Sequence, residues 1–425
     1  MLLDVVVFDT NVYLLIFSLI VIVSYFFNSY SEKSGVPSVL MLIGLGVVIG
    51  FFKPWDESFD SLLKLLGTVG LILIVLEAAL DLRLLKEKVG IIIKSLLVSA
   101  VGLGGTSYIS ALFLSFVVSD LTLTQASLLT IPLSILSSAI ILPSIASLEE
   151  KKREFMIYES TFSDVVGIIS FYAVLGFVGS SDPENILPST FRDLFFTIIV
   201  SVVLSYVLIY IFQKLKGHAK LFLLISVLLV LYSLGKMMHL SSLIIILIFG
   251  LVLNNYKLFF KGVLREFVLE DRVEKILDDF QLVTLESAFV VRTFFFILFG
   301  WSIVFSDLFS FKVVGIGLVL LIIIYLVRSF VLFVFNGTYN LEKITPELFL
   351  APRGLITILL FYNIPVEHVP DIGLFRGILL FVIIFSCLIM TWSLINEKKK
   401  IGLKDVVGEE ALDSGNQEED RVEEN

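Results

Sequence analysis

The run Glu159-Ser160-Thr161-Phe162-Ser163-Asp164 puts two carboxylates and three hydroxyls inside a stretch, 155–178, that otherwise reads as a helix crossing a lipid bilayer. A charged side chain at bilayer depth costs about 2.5–3.5 kcal/mol on insertion scales, so an acid there is a functional candidate by default. The spacing divides the two acids. At about 100° per residue, Ser160 and Asp164 share one face of the helix and Ser163 sits beside them. Glu159 lies about 140° around the axis from Asp164 and looks at other neighbours. One face therefore offers a carboxylate ringed by hydroxyls. The other needs a cationic partner from elsewhere in the chain.

The elements that position these residues follow from composition. Of 425 residues, 57% are hydrophobic and 17% charged, with a mean hydropathy of +1.00. A water-soluble chain of this length has no way to hide that much apolar surface, so the class is an all-α polytopic membrane protein. Thirteen apolar segments have spanning character: 12–27, 36–52, 62–80, 90–117, 121–148, 155–178, 191–215, 221–234, 240–254, 280–305, 313–335, 348–365 and 372–395. An odd count places the termini on opposite sides. Loops on the side of the C-terminus carry most of the lysine and arginine, among them Arg83, Lys86, Lys88, Lys151, Lys152, Arg153, Lys257, Lys261 and Arg265. The positive-inside rule then puts the N-terminus outside and the C-terminus in the cytoplasm. The first ten residues carry Asp4 and Asp9 and no base, unlike a cleavable signal, and no targeting extension is evident, which suits a bacterial plasma (inner) membrane.

Polar segments are few. Residues 256–279 are too charged to span, and their mixture of bases with Leu258, Phe259 and Phe267 predicts a helix lying in the cytoplasmic interface. Residues 396–425 form an acidic tail. From 401 onward, nine acids face only Lys404 and Arg421, a net of −7 out of −9 for the chain, and the composition predicts disorder. The single cysteine, Cys387, allows no internal disulfide, and the three histidines show no ligand spacing. No cofactor and no nucleic-acid partner is expected.

Two segments look interrupted. The fifth contains Ser137 and Ser138 and then Pro143; the twelfth contains Pro352-Arg353-Gly354. Broken backbone at membrane depth is tolerated only where protein or a water-filled cavity satisfies it. A lone proline kink is the bland reading for either. The two segments are seven apart, however, so if segments one to six and eight to thirteen are repeats, they are inverted in the membrane. Paired breaks in inverted halves point to a transporter's midplane site. Among the other intramembrane charges, Lys94 and Arg376 sit near segment ends and can snorkel to the interface. Glu77 lies one turn deeper than Asp81. Arg292 lies in the tenth segment, and Arg328, well inside the eleventh, requires an anion. Glu159 is the natural candidate.

At this point the residues resemble a family, the monovalent cation–proton antiporters, in the NhaP and sodium–proton exchanger branch, over nearly all of 12–395. Glu159 to Asp164 is similar to that family's Glu-Ser-x-x-Asn-Asp motif. Leu76-Glu77-Ala78-Ala79-Leu80 is similar to its Phe-Glu-Ala-Gly-Leu stretch, and Arg353-Gly354-Leu355 to its second broken helix. Arg328 falls where the family has a basic residue. The resemblance implies an elevator-type antiporter of two inverted six-helix repeats with broken helices 5 and 12. Scaffold and homodimer helices would be about 12–80 and 191–305, and core helices about 90–178 and 313–395. It further implies that Asp164 binds either Na+ (or K+ or Li+) or H+. Ser160 would act as a cation ligand, Glu159 and Arg328 as a structural pair, and Glu77 would approach the site through water. Two departures stand out: Ser163 replaces the family's Asn, and Ser137-Ser138 replace an acid-containing Thr-Asp-Pro, which removes one carboxylate from the site.

The chemistry of the residues agrees. A hard monovalent ion takes oxygen ligands, here Asp164, the hydroxyls of Ser160, Ser163, Ser137 or Ser138, and backbone carbonyls of the interrupted segment. A proton and a cation cannot both neutralise one carboxylate, so competition at Asp164 suffices for antiport, and a single exchanging acid predicts a one-for-one, electroneutral cycle. Two other readings stand beside this one: a sodium-coupled symporter of an organic anion, using Arg353 or Arg292, and a non-transporting or channel-like protein on the same scaffold. No catalytic motif on facing helices points to an enzyme.

Overall fold

The computed structural model describes residues 10–34, 36–52, 60–145, 148–178, 186–214, 220–237, 242–303, 308, 310–337, 340–369 and 371–423, and among these it is helical with no strand. The main helices are α1 (Thr10–Ser34), α2 (Ser38–Phe52), α3 (Asp60–Asp81), α4 (Val89–Val117), α5 (Leu123–Ser134), α6 (Ser138–Ser144) and α7 (Glu150–Val178). They continue as α8 (Ile186–Phe212), α9 (Lys220–Met237), α10 (Ser242–Asn254), α11 (Glu270–Trp301), α12 (Phe311–Asn336), α13 (Leu355–Tyr362) and α14 (Ile372–Glu423). Nine helices among the described residues are long and apolar enough to cross a bilayer, and Ser38–Phe52, Leu223–Met237 and Ser242–Asn254 are shorter apolar helices. The twelfth apolar segment holds only the 8 residues of α13, about 12 Å of helix and far short of a bilayer.

The distribution of polarity is that of a protein dissolved in lipid. On α4, Ser95, Ser99, Thr106, Ser107 and Ser110 are buried while Ile93, Leu97, Val101, Ile109 and Phe116 are exposed. Small polar residues let helices approach and bond to one another where lipid, not water, is the outer solvent. Two packing groups result. In one, α4 packs on α5, α7 and α12, α12 on α14, and α13 on α5; in the other, α11 packs on α2 and α3, and α10 on α3, α8 and α9. Between the groups, α7 meets α8 and α3, and α13 meets α3. The α2–α11 contact is set by glycine: a Cβ on Gly46 would lie 2.8 Å from the backbone nitrogen of Trp301, and one on Gly300 would lie 3.0 Å from the Cα of Ile43.

The two expected interruptions are present. The helix α5 starts from a capping box in which Thr122 Oγ1 accepts from the Gln125 N–H at 3.3 Å and Gln125 Oε1 accepts from the Thr122 N–H at 3.1 Å. It ends two residues after Pro132, which sits inside it. The chain leaves the helix at 135–137, after Pro132 and not at it, since a proline crowds the turn before it. The break thus precedes Pro143, which lies within α6. The second break is the non-helical run 350–354 ahead of α13. The two runs cross, and the Ser137 N–H donates to the Pro352 carbonyl at 3.0 Å.

One expectation is corrected. Residues 256–279 do not form one interfacial helix. They give a single turn, Tyr256–Phe259, a 3-10 turn, Gly262–Phe267, and then the charged start of α11. Lys261 between the turns is extended and Gly262 has φ +60°, so helix cannot run through. The helix α14 is continuous to Glu423. Its Lys, Glu, Leu and Ala are good helix formers, and extending an existing helix needs no new nucleus.

Candidate functional site

The crossing of the two unwound runs lies against the middle of α7, and Asp164 faces it. Asp164 is fully buried. Ser138, the first residue of α6, donates its hydroxyl to the carboxylate. The other carboxylate oxygen, Oδ1, is buried with no hydrogen-bond partner. Buried polar atoms are nearly always satisfied, and an orphaned carboxylate oxygen is a place for a proton or a cation.

The remaining hydroxyls divide differently from what helix spacing implies. Ser160 donates to the Met156 carbonyl of its own helix at 2.8 Å. Ser163 accepts the Leu136 N–H at 2.9 Å, so it pins the unwound run of the fifth segment to α7. Ser137 is buried against Gly354, where a Cβ would come within 2.8 Å of the Ser137 Cβ. The structure therefore brings Asp164, Ser138, Ser163, Ser137, Pro352, Arg353 and Gly354 to one crossing, with Ser160 one turn earlier on α7. All these hydroxyl oxygens keep lone pairs.

The far side of α7 holds the expected ion pair. Arg328 Nη1 and Nη2 donate to Glu159 Oε1 and Oε2 at 2.7 and 3.0 Å. The same guanidinium donates through Nε to the carbonyls of Glu347 and Leu348 at 3.0 and 3.1 Å, and through Nη2 to that of Glu347 at 2.7 Å. A bidentate pair whose Nε and Nη2 also bond backbone carbonyls is the arrangement in which burial of two charges is tolerated. It ties α7 to α12 and to the chain entering the second break.

Arg353 is the residue whose position could not be read from spacing. Its side chain is 2% exposed. Its backbone N–H donates to Ser386 Oγ at 3.0 Å and Nη1 donates to the Ile135 carbonyl at 3.1 Å, so it returns the clasp that Ser137 makes to Pro352. Its Nε is buried without a partner. A cavity of about 20 Å³ bounded by Ser99, Thr106, Ser163, Glu159, Arg328 and Arg353 lies alongside, room for about one water.

Glu77 engages a different base. Arg292 Nη2 on α11 lies 3.3 Å from Glu77 Oε1, the second Glu77 oxygen is buried without a hydrogen bond, and Asp81 accepts from Gln281 at 3.1 Å. Both members of this pair are visible in the sequence as intramembrane charges. A buried base needs an acid, and the cost that pairs Glu159 with Arg328 pairs Glu77 with Arg292 as well. Lys94, expected to snorkel, donates to Asn336 at 2.8 Å on the exposed surface.

A family model described as sodium/hydrogen exchanger, transmembrane, matches residues 16–395. Among solved structures, that of the sodium proton antiporter MjNhaP1 from Methanocaldococcus jannaschii at pH 8 is similar with a TM-score of 0.66 and 19% identity, covering 90% of this chain and 100% of that one. An electron-microscopy map of the same antiporter gives a TM-score of 0.66 and 19% identity over 93% of this chain and 98% of that one. At that identity the likeness is one of fold. No curated protein matches the sequence.

Proposed function

The chain belongs to the sodium/hydrogen exchanger family, and on that premise we propose that it exchanges a monovalent cation for a proton by competition at Asp164. Na+ is the proposed cation, with K+ and Li+ as the tested alternatives. The observation that carries the reading is the buried Asp164 carboxylate, with one oxygen held by Ser138 and the other unmatched. A desolvated carboxylate with an open oxygen takes either H+ or a small cation and excludes the second once the first is bound. In this reading Ser138 and Ser137 are the nearest hydroxyl ligands, and Ser163 and Ser160 hold α7 and the unwound run in place while offering lone pairs. Glu159 and Arg328 are a structural pair. Glu77, paired with Arg292 in the described state, stands back from the exchange.

The packing groups support a moving core of about 90–178 and 313–395 against a scaffold of about 12–80 and 191–305, arranged as two inverted six-helix repeats. The thirteen apolar segments would give an external N-terminus and a cytoplasmic C-terminus in the plasma membrane, with the scaffold as the homodimer surface. The organic-anion symporter is disfavoured by size and charge: Arg292 is paired with Glu77, and the cavity beside Arg353 is about 20 Å³.

Reconstituted vesicles with an imposed pH gradient test the proposal. Adding Na+, Li+ or K+ in turn should dissipate the gradient, read by a pH-sensitive dye, and Asp164→Asn should abolish the response. No response to any of the three cations between about pH 6 and 9 would sink antiport as the function.

A further inference from the structure

The connection between α10 and α11 builds a concave site that ion exchange does not use. One helical turn (Tyr256–Phe259), extended Lys261 and a 3-10 turn begun by Gly262 bring Lys257, Lys261 and Arg265 onto a single cavity of about 320 Å³. That is near the lower end of volumes that hold small ligands. The cavity is also lined by Tyr256, Phe260 and Val268, which are only 4%, 5% and 8% exposed, and by one acid, Glu270, against three bases. It is braced from α8. The Tyr206 ring meets Phe260 edge-on at 4.7 Å between centroids, the Tyr206 hydroxyl donates to the Phe259 carbonyl at 3.1 Å, and Gln213 accepts the Leu269 N–H at 2.8 Å.

Two observations point to an anion. The first is unspent positive charge. Lys261 has no acidic partner among the described residues. Arg265 and Lys257 reach Glu270 and Glu274 at 3.1 and 3.8 Å, but between side chains that are 74% and 45%, and 60% and 59%, exposed. Such pairs contribute about 0.2–1 kcal/mol and are readily exchanged for a better partner. The second is Tyr256, which lines this cavity and whose buried hydroxyl makes no hydrogen bond of normal geometry, its polar neighbour being Lys257. The position narrows the ligand further. The site follows the apolar helix α10 directly and precedes the apolar part of α11, so it lies at the level of the bilayer surface, where anionic lipid attracts roughly 1 kcal/mol per nearby base. Leu269, half exposed beside it, offers contact to acyl chain.

We propose that this cavity binds the phosphate of an anionic phospholipid, held by Lys257, Lys261 and Arg265 and receiving a hydrogen bond from Tyr256. The inference needs only that the chain is a multi-pass membrane protein; it does not depend on which ion Asp164 carries.

The test is native mass spectrometry of the full-length protein released from membranes of mixed phosphatidylcholine and phosphatidylglycerol. The wild type should retain one more phosphatidylglycerol per chain than the variant with Lys257→Gln, Lys261→Gln and Arg265→Gln, with phosphatidylcholine retention unchanged. Lys261→Gln alone, at an exposed unpaired position, should lose part of that lipid and guards against misfolding of the triple variant. Tyr256→Phe should shorten retention without abolishing it. Equal retention of phosphatidylglycerol by wild type and variants would overturn the proposal. So would displacement of the lipid by millimolar inorganic phosphate, which would assign the cavity to a soluble anion.

Discussion

Asp164 and Glu159 are five residues apart on one helix and do opposite things, because their surroundings differ in one respect: whether a base is present. Glu159 has Arg328 at 2.7 and 3.0 Å; Asp164 has only Ser138. Replacing Glu159 by Gln leaves the Arg328 charge buried and unpaired, a loss of about 3–5 kcal/mol. Glu159→Gln should therefore lower the melting temperature of the detergent-solubilised protein strongly. The double variant Glu159→Leu with Arg328→Met should recover much of it, and no recovery would mean that the carbonyls of Glu347 and Leu348, left without Arg328, matter more than the pair. Ser138→Ala removes a hydroxyl rather than a charge. It should leave stability nearly unchanged but raise the apparent KM for the cation several-fold in the vesicle assay, whereas an unchanged KM would remove Ser138 from the ligand set. The Glu159–Arg328 pair was legible in the sequence because burying a lone charge is costly enough to force a partner. Ser138 as the residue on Asp164 was not, since spacing along α7 names neighbours on α7 and says nothing of which hydroxyl a broken helix delivers from outside.

At the scale of elements, the two breaks act as one device. Ser137 bonds Pro352, Arg353 bonds Ile135, and Gly354 fits against Ser137 with no room for a side chain. Gly354→Ala should push the runs apart, moving Ser138 off Asp164 and abolishing exchange while the protein still inserts and purifies. Ser137→Gly in the same chain should restore part of the activity, because it removes the atoms that the new methyl meets. Failure of Ser137→Gly to rescue would show that the glycine is needed for backbone geometry and not for space. Interruptions in the fifth and twelfth segments were readable from proline, glycine and serine at membrane depth. Their registers were not. Pro132 is accommodated in α5 and Pro143 in α6, with the unwound run between them, although either could have broken the helix on sequence grounds.

Across the whole molecule the charge inventory of the buried site makes a statement about energetics. Glu159 and Arg328 cancel, Arg353 is fixed by the Ile135 carbonyl and the chain around Ser386, and Asp164 is the one acid at the crossing without a basic partner. A core loaded with H+ and the same core loaded with Na+ then carry equal charge, so whatever charge crosses the membrane field on the outward leg crosses back on the inward leg. Exchange should thus be one for one and indifferent to voltage. A carrier moving one net charge per cycle would be driven by about 2.3 kcal/mol per 100 mV, roughly a fiftyfold bias in the equilibrium ratio, which is easily seen. Vesicles clamped with a potassium gradient and valinomycin at 0 and about 100 mV of either sign should show the same Na+-driven proton flux and the same endpoint. A potential-dependent endpoint would mean that a second group, with Glu77 the first to examine by Glu77→Gln, releases its own proton during the cycle.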